Sequence, residues 1–186
     1  MTSPEVSAIA DLAGVTGRWE LDAAGSSAEF RTRALWVLPV TGKVRFLGGH
    51  ADATVAAEAD DRLAVEGKIS LDATSVTTGN ERRDAHLRTA DFFDRDRSET
   101  IDFVVSGVRL MAPGRVGVEG TLIVNRMARS LAFEADVERS GERVTLHADI
   151  ANIDRTDYGM DWARFGASVH NRLIVHASFV RATPPV

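Results

Sequence analysis

The chain has 186 residues, of which 44% are hydrophobic and 26% are charged, and its formal net charge is −5. This size and composition predict a single domain with a sizeable core. The acidic balance argues against nucleic acid or an anionic membrane surface as the main partner. The sequence has no cysteine, which excludes disulfides, thiol chemistry and thiolate metal sites.

The N-terminal stretch has no basic region followed by a long apolar run, and no later segment is as long as a membrane span. We therefore predict a cytoplasmic protein without a membrane span. Ser3-Pro4 can begin a short helix that ends near Leu12, either as a loosely docked extension or as a lid over a cavity. The signals divide the chain into an N-terminal extension, residues 1–16, and a β domain, residues 17–183.

Beyond the extension, polar and apolar residues alternate with the period of two that is typical of half-buried strands. Pro39 marks the start or the edge of a strand, and Gly48-Gly49 predicts a hairpin turn. Gly114 and Gly141 separate later strands. Small residues recur on the predicted apolar faces, namely Ala28, Ala64, Gly120, Ala135, Ala148 and Ala177.

The stretch from Ser75 to Asp94 breaks this alternation and predicts a helix. Thr78 and Glu81 have the spacing of a capping box, in which each residue bonds the other's backbone amide. The residues that follow, up to Leu87, include no proline, glycine or β-branched side chain, so the helix can continue.

Two further features of this stretch carry expectations. Asp84 and Arg88 lie four residues apart and are expected to pair on the solvent side of the helix. Phe92-Phe93 supplies two large rings that a short polar helix cannot bury, so we expect them at the open end of a sheet or barrel.

Many long amphipathic strands joined by short turns predict antiparallel pairing in a sandwich or a closed barrel. A barrel of about eight strands has room for packed side chains or for one small ligand. Inward small residues leave volume unfilled, which favours an apolar ligand site. The alternative is that Trp19, Trp36, Trp162 and the eight phenylalanines fill the interior.

The helical segment Thr77–Asp94, TTGNERRDAHLRTADFFD, resembles the signature of the YceI-like family, the bacterial polyisoprenoid-binding proteins. Order and spacing agree with that family over nearly the whole chain. Similarity to its other motifs lies in Trp19–Asp22, Ser27–Phe30, Val118–Leu122 and Ile153–Met160.

The resemblance implies a mainly β fold, a single extended, lipocalin-like antiparallel β-barrel of about eight strands with a short helical insertion near residues 78–93. It also implies a barrel that holds a long isoprenoid chain or a similar amphiphile, and it favours a homodimer. Two departures stand out. Residues 126–131 replace the family's G-V-T-R-P-V turn, which predicts a different turn type, and Ala34 stands where the family often has a histidine.

The candidate ligand-binding residues are those expected inside the barrel or at its helical end. They are Phe30, Trp36, Val65, Ile69, Phe92, Phe93, Phe103, Val118, Leu122, Phe133, Ala135, Leu146, Ala148, Arg155, Tyr158, Trp162 and Val175. A polar head group is expected near the helix or the Arg155–Tyr158 loop. For Arg155 itself we favour a structural salt bridge with Asp154, Asp157 or Asp84.

The sequence carries none of the common catalytic or nucleotide-binding motifs, so we predict no enzyme activity. Its histidines are scattered without ligand spacing, and neither a metal nor a cofactor is expected. His86 is the best candidate for a functional histidine, although a hydrogen bond from the helix to the barrel is the favoured interpretation. Arg82, Arg83 and Arg88 are interpreted as a solvated face rather than as a clamp for an anionic head group.

These observations predict non-enzymatic binding, storage or transport of a hydrophobic small molecule, either a polyprenyl lipid or a prenyl quinone as cargo. The alternative is an interaction protein with a filled barrel core that acts as a dimer. A lipid-modifying enzyme is the third hypothesis.

Overall fold

The computed structural model describes residues 14–55, 62–94, 96 and 98–183. The predicted N-terminal helix up to Leu12 lies outside the described residues. The strands are β1 Gly17–Leu21, β2 Ser27–Ala34, β3 Leu38–Val55, β4 Arg62–Thr77, β5 Thr100–Ala112, β6 Arg115–Val124, β7 Met127–Ser140, β8 Arg143–Asp154 and β9 His170–Arg181. Helix α1 spans Glu81–Leu87, and two 3-10 helices span Arg155–Tyr158 and Arg164–Gly166.

The strands form one closed antiparallel barrel. Around the sheet the order is β1-β3-β2-β9-β8-β7-β6-β5-β4, and pairing of β3 with β4 closes the ring. The short strand β1 lies between β3 and β9 at one end, so eight long strands make the wall. This confirms the predicted mainly β barrel with a short helical insertion between β4 and β5. Within the described ranges, no helix has the length and apolarity needed to cross a bilayer.

The barrel has two ends of different character. The helix end is formed by the four connections at residues 35–37, 78–99, 125–126 and 155–169. The far end carries β1 and the tight turns at Gly114 and Gly141, whose φ values of 73° and 60° suit glycine. Long connections therefore cluster at the helix end.

The hairpin predicted at Gly48-Gly49 is wrong, because β3 runs through both glycines without turning. A register shift against β4 lies between Phe46 and Gly48. At Gly49 a Cβ atom would lie 2.7 Å from the carbonyl oxygen of Lys68. Close approach of β4 therefore requires a small residue here, and a bulge with a glycine has the same local composition as a turn.

In strand β5, the inward-facing positions change from odd-numbered to even-numbered residues along the strand. Its early inward positions include Phe103 and Val105, and a register shift between Val105 and Gly107 precedes Val108, which is inward although its number is even. The simple alternation did not predict this shift. The expected inward position of Ala64 is also wrong, since this side chain is exposed on the outer face of β4.

The capping box predicted from Thr78 and Glu81 is wrong. The N-cap of α1 is Asn80, whose Oδ1 accepts from the Arg83 amide at 3.0 Å. Thr78 instead donates its hydroxyl and its amide to the Asp84 carboxylate. The reason is that Asp84 is buried and must be satisfied by nearby donors.

The predicted solvent-side pair of Asp84 and Arg88 is also wrong. Asp84 accepts from the Thr77 hydroxyl at 2.8 Å, and Arg88 donates to the carbonyl oxygens of Thr74 and Val76 at 2.9 and 2.8 Å. Both side chains thus attach α1 to β4. Burial acts to raise the pKa of Asp84, but hydrogen bonds from Thr78 and Thr77 and the charge of Arg88 outweigh it and lower that pKa.

Candidate functional site

The barrel interior contains a cavity of about 1170 Å³. It extends from Trp162 at the helix end to Val15 and Gly141 at the far end. Because successive side chains on a strand point to opposite faces, one apolar set from every long strand faces this space. The aromatic residues therefore do not fill the barrel, and the hollow interpretation replaces the filled core.

Fifteen of the predicted ligand-binding residues line the cavity. They are Phe30, Val65, Ile69, Phe92, Phe93, Phe103, Val118, Leu122, Phe133, Leu146, Ala148, Arg155, Tyr158, Trp162 and Val175. Their contact with a ligand stays a prediction.

Trp36 and Ala135 are not part of the cavity lining. Trp36 is 80% exposed in the loop between β2 and β3, so it does not enter the barrel. Ala135 is buried in the wall, where it packs with Val116, Val118 and Ala148. The placement of Trp36 could not follow from strand periodicity, because the residue lies between strands.

Three rings close part of the helix end and form what we call the ring cluster: His86, Phe92 and Trp162. The ring centroids of His86 lie 4.8 Å from those of Trp162 and 5.2 Å from those of Phe92, both edge to face. Phe92 and Trp162 are 5.6 Å apart. Beside the cluster, Phe93 lies 6.3 Å from Phe30 of β2. The two adjacent rings of the loop thus reach the barrel opening as predicted.

His86 has a different partner from the one expected. Its Nε2 lies 2.7 Å from Oδ2 of Asp91, in the loop that follows α1, rather than bonding the barrel. Among the residues described, no three His, Cys, Asp or Glu side chains come together as a metal site would need. The histidine therefore fixes the loop and contributes a ring to the cluster.

Arg155 is structural, but the salt bridge favoured from the sequence is wrong. Its guanidinium is buried and donates to the carbonyl oxygens of Ser168 at 2.9 Å, of Trp162 at 2.5 Å and of Met160. It also lies 5.2 Å from the centroid of the Phe92 ring. Burial lowers the pKa of Arg155, while Asp154 acts in the opposite direction. The arginine thus organises the loop between β8 and β9 through backbone carbonyls that no sequence pattern identifies.

The three arginines within and directly after α1 do not form one solvated face. Arg83 donates to the hydroxyl and carbonyl oxygens of Thr78, and Arg88 bonds β4 as described above. Arg82 remains exposed and lines the opening of the cavity at the helix end, which we call the mouth. Arg33 and Arg164 are also exposed and also line the mouth.

One polar atom in the wall was missed by sequence reasoning. Thr32 lines the cavity, and its Oγ1 is buried without a hydrogen-bond partner among the described residues. Buried hydroxyls are usually paired, so this unpaired atom in the wall is a candidate for a hydrogen bond with a ligand atom. The available signal was its position as the single hydroxyl within the inward set Ala28, Phe30, Thr32 and Ala34.

The hairpin between β6 and β7 holds the ring cluster from outside. Asn125 and Arg126 have φ values of 51° and 63°, as a two-residue type I′ turn requires. The buried Asn125 donates from Nδ2 to the carbonyl oxygens of Phe92 and Tyr158. Burial raises the pKa of Tyr158, whose ring packs beneath the cluster in the same core.

A sequence-family comparison matches residues 19–180 to the family described as the YceI-like domain. A UPF0312 protein of Staphylococcus aureus (strain MSSA476) is 27% identical over 147 residues, covering 76% of this chain and 81% of that protein.

Solved structures with similar folds include BcnA of Burkholderia cenocepacia, with a TM-score of 0.71 and 17% identity over 88% of this chain and 99% of that one. A polyisoprenoid binding domain from Saccharophagus degradans, implicated in plant cell wall breakdown, has a TM-score of 0.70 and 18% identity. The match covers 88% of this chain and 98% of that one. The Campylobacter jejuni YCEI protein has a TM-score of 0.63 and 16% identity, and the match covers 81% of this chain and 90% of that one. These likenesses concern the fold.

Proposed function

The chain belongs to the YceI-like family, and we propose that its barrel binds a long, mainly hydrocarbon molecule of the isoprenoid type. The cargo would be a polyprenyl lipid or a prenyl quinone, stored or carried without chemical change. The observation that carries this proposal is the cavity of about 1170 Å³ that runs through the barrel. Its volume exceeds the range of roughly 300–1,000 Å³ in which most drug-sized ligands bind.

The chemistry of the wall suits an extended apolar chain. Val118 and Leu122 of β6 are buried members of that wall, and Phe103 faces Phe133 with ring centroids 5.7 Å apart. Burying one methylene gains about 0.8 kcal/mol, so a five-carbon isoprene unit gains roughly 3–4 kcal/mol before ordering costs. A few units would suffice for tight binding with few polar contacts.

The family and one structural neighbour support the same ligand class. The Saccharophagus degradans domain, which shares the barrel fold, is a polyisoprenoid binding domain. This chain has a cavity inside the same kind of barrel, and the connections at its helix end surround the opening of that cavity.

We place a polar head group of the cargo near Thr32. The unpaired Oγ1 of this residue can donate to a carbonyl or accept from a hydroxyl, which are the groups that quinone, phenol and alcohol heads present. Thr32 precedes Arg33, a mouth residue, so a head group here would leave the hydrocarbon tail directed into the barrel.

Binding without catalysis is the simplest account of the polar residues around the cavity. Arg83 is occupied by the hydroxyl and carbonyl oxygens of Thr78, and Arg155 by three carbonyl oxygens. The proposal includes no metal and no cofactor. A homodimer stays a prediction that light scattering would test.

A titration with a prenyl quinone tests the proposal, with the melting temperature of the protein measured at each ligand concentration. A ligand that binds only the folded state raises the melting temperature with its concentration. We expect such a rise for the wild type, a much smaller one for Val118→Trp, which fills the cavity, and a full one for Ala132→Trp, which adds the same ring on the outer face. An equal absence of response in all three proteins would contradict the proposal.

A further inference from the structure

The loop between β2 and β3, together with the first residue of β3, exposes four consecutive apolar residues, which we call the apolar tip. Leu35, Trp36, Val37 and Leu38 are 53%, 80%, 75% and 52% exposed. Single exposed apolar residues are ordinary, but a contiguous run that includes a tryptophan usually marks an interaction surface. The tip lies at the helix end, and Leu35 lines the cavity mouth.

The backbone conformation of the tip is unfavourable for the large apolar residues found there. Leu35 and Trp36 have φ values of 49° and 67°, in the left-handed region that glycine and asparagine adopt most easily. Bulky side chains in two such positions in succession are unfavourable for the fold alone. An exposed, strained and apolar loop is therefore a candidate for a role outside the folded chain.

The tip is held in place by the connection between β8 and β9. The amide of Trp36 donates to the Gly166 carbonyl oxygen at 3.1 Å, and the Ser168 amide donates to the Arg33 carbonyl oxygen at 2.9 Å. The indole lies so close to Gly166 that a Cβ atom there would be 2.5 Å from Nε1. The tryptophan is thus presented outward from a fixed base.

Positive charge flanks the tip. Arg33 precedes it in β2, and Arg164 lies in the 3-10 helix that supports Trp36. Both arginines are exposed, and neither forms an ion pair with a carboxylate among the described residues. The chain as a whole is acidic, with net charge −5, so this local cationic rim sets the tip apart from the rest of the surface.

We propose that the apolar tip docks onto a lipid bilayer that contains anionic lipid. Trp36 inserts at the boundary of head groups and acyl chains, where tryptophan is favoured, and the tip leucines enter beside it. Arg33 and Arg164 bind the anionic head groups. Docking in this orientation places the cavity mouth on the membrane surface, so that an apolar cargo can pass between bilayer and barrel without crossing water.

Sedimentation with vesicles of phosphatidylcholine, with and without phosphatidylglycerol, tests the docking. We expect the wild type to sediment with the mixed vesicles, and vesicles with brominated acyl chains to quench its tryptophan fluorescence. Trp36→Gly, which suits the positive φ, should bind roughly tenfold more weakly or worse. Arg33→Gln and Arg164→Gln should each lose roughly fivefold, on the mixed vesicles only.

A matched pair of variants separates the tip from exposed apolar surface in general. Leu35 and Leu47 are both 53% exposed, but Leu47 lies along the outer wall in β3. Leu35→Asn should weaken vesicle binding, because asparagine keeps the left-handed backbone and removes the apolar side chain, whereas Leu47→Asn should not.

Two results would overturn the proposal. In the first, the wild type stays in the supernatant with both kinds of vesicle. In the second, vesicle binding is absent and light scattering shows a dimer that Trp36→Gly dissociates, so that the tip contacts a second copy of the chain. Neither result bears on cargo binding, since the quinone titration is carried out without vesicles.

Discussion

Asn125 Nδ2 donates to the carbonyl oxygen of Phe92 at 2.6 Å and so ties the hairpin between β6 and β7 to the loop that carries the ring cluster. The same amide donates to the Tyr158 carbonyl oxygen at 3.2 Å. One buried side chain thus connects three of the four connections that form the helix end.

The first prediction concerns this residue. Asn125→Gly keeps the left-handed backbone but removes both hydrogen bonds, and it should lower the free energy of unfolding by about 2 kcal/mol. Asn125→Ala also has to place a Cβ atom at a φ of 51°, so it should cost about 1 kcal/mol more. Urea denaturation of the two variants measures the difference. Equal stability of wild type and Asn125→Gly would show that the bonds to Phe92 and Tyr158 contribute little.

The second prediction concerns Arg155. Arg155→Lys removes the planar fork that reaches the Ser168, Trp162 and Met160 carbonyls, and a single ammonium cannot replace it. The free energy of unfolding should fall by about 2–3 kcal/mol, since carbonyl groups are left unpaired in a buried loop. The exposed Arg126→Lys is the control and should change stability by less than about 0.5 kcal/mol. Chemical denaturation measures the stability of both variants. The free energy of unfolding should fall with denaturant concentration at the same slope in both, so that the two values can be compared.

The third prediction concerns acid stability. Since the folded-state pKa of Asp84 is lowered, the folded chain binds this proton less readily than the unfolded chain does. The resulting stabilisation is present above the ordinary value of 3.8 and is lost as the pH falls through the lower folded-state pKa.

Asp84→Asn should therefore be less stable than wild type at neutral pH, and the difference should shrink in acid. Thermal unfolding measured across this pH range tests it, with the exposed Asp157→Asn as control. A constant difference between wild type and Asp84→Asn at every pH would contradict the assignment.

The fourth prediction concerns Thr32. Thr32→Val keeps the shape of the side chain and removes the unpaired hydroxyl, so stability should stay the same or rise by up to about 1 kcal/mol. Affinity for a prenyl quinone should fall by roughly fivefold, as loss of one hydrogen bond implies. Affinity for a polyprenyl hydrocarbon without a head group should not fall. If both ligands respond alike, the head group does not lie at Thr32.

The barrel could be predicted because strand periodicity states which side chain faces inward at each position. Val118, Leu122 and Val175 lie in the cavity wall as their alternation indicates. The existence and place of α1 followed from the break in that alternation. Where a bulge changes the parity, as at Val105 and Gly107, the pattern alone cannot follow the chain, because the shift depends on the register of a neighbouring strand.

The contacts of the helix end could not be predicted, because they depend on how α1 and the loops pack on the barrel and follow no fixed sequence spacing. Asp84 looked like a surface residue by composition, yet packing of α1 on β4 buries it and diverts Thr78 from the cap. Arg155 found carbonyl oxygens rather than carboxylates, and carbonyls leave no mark on a sequence. Trp36 counted as an inward ring because its type is usually buried, whereas its loop points outward.

Mass spectrometry of an organic extract from purified, denatured protein shows whether the hollow barrel holds an apolar cargo. We predict a prenyl lipid or quinone in a fixed ratio to the wild-type chain. Phe133→Trp and Val118→Trp should lose it, and Ala132→Trp, altered on the outer face of the same strand as Phe133, should retain it. An extract without such a molecule from wild type and variants alike, from a protein that also fails to take up added prenyl quinone, would contradict the account.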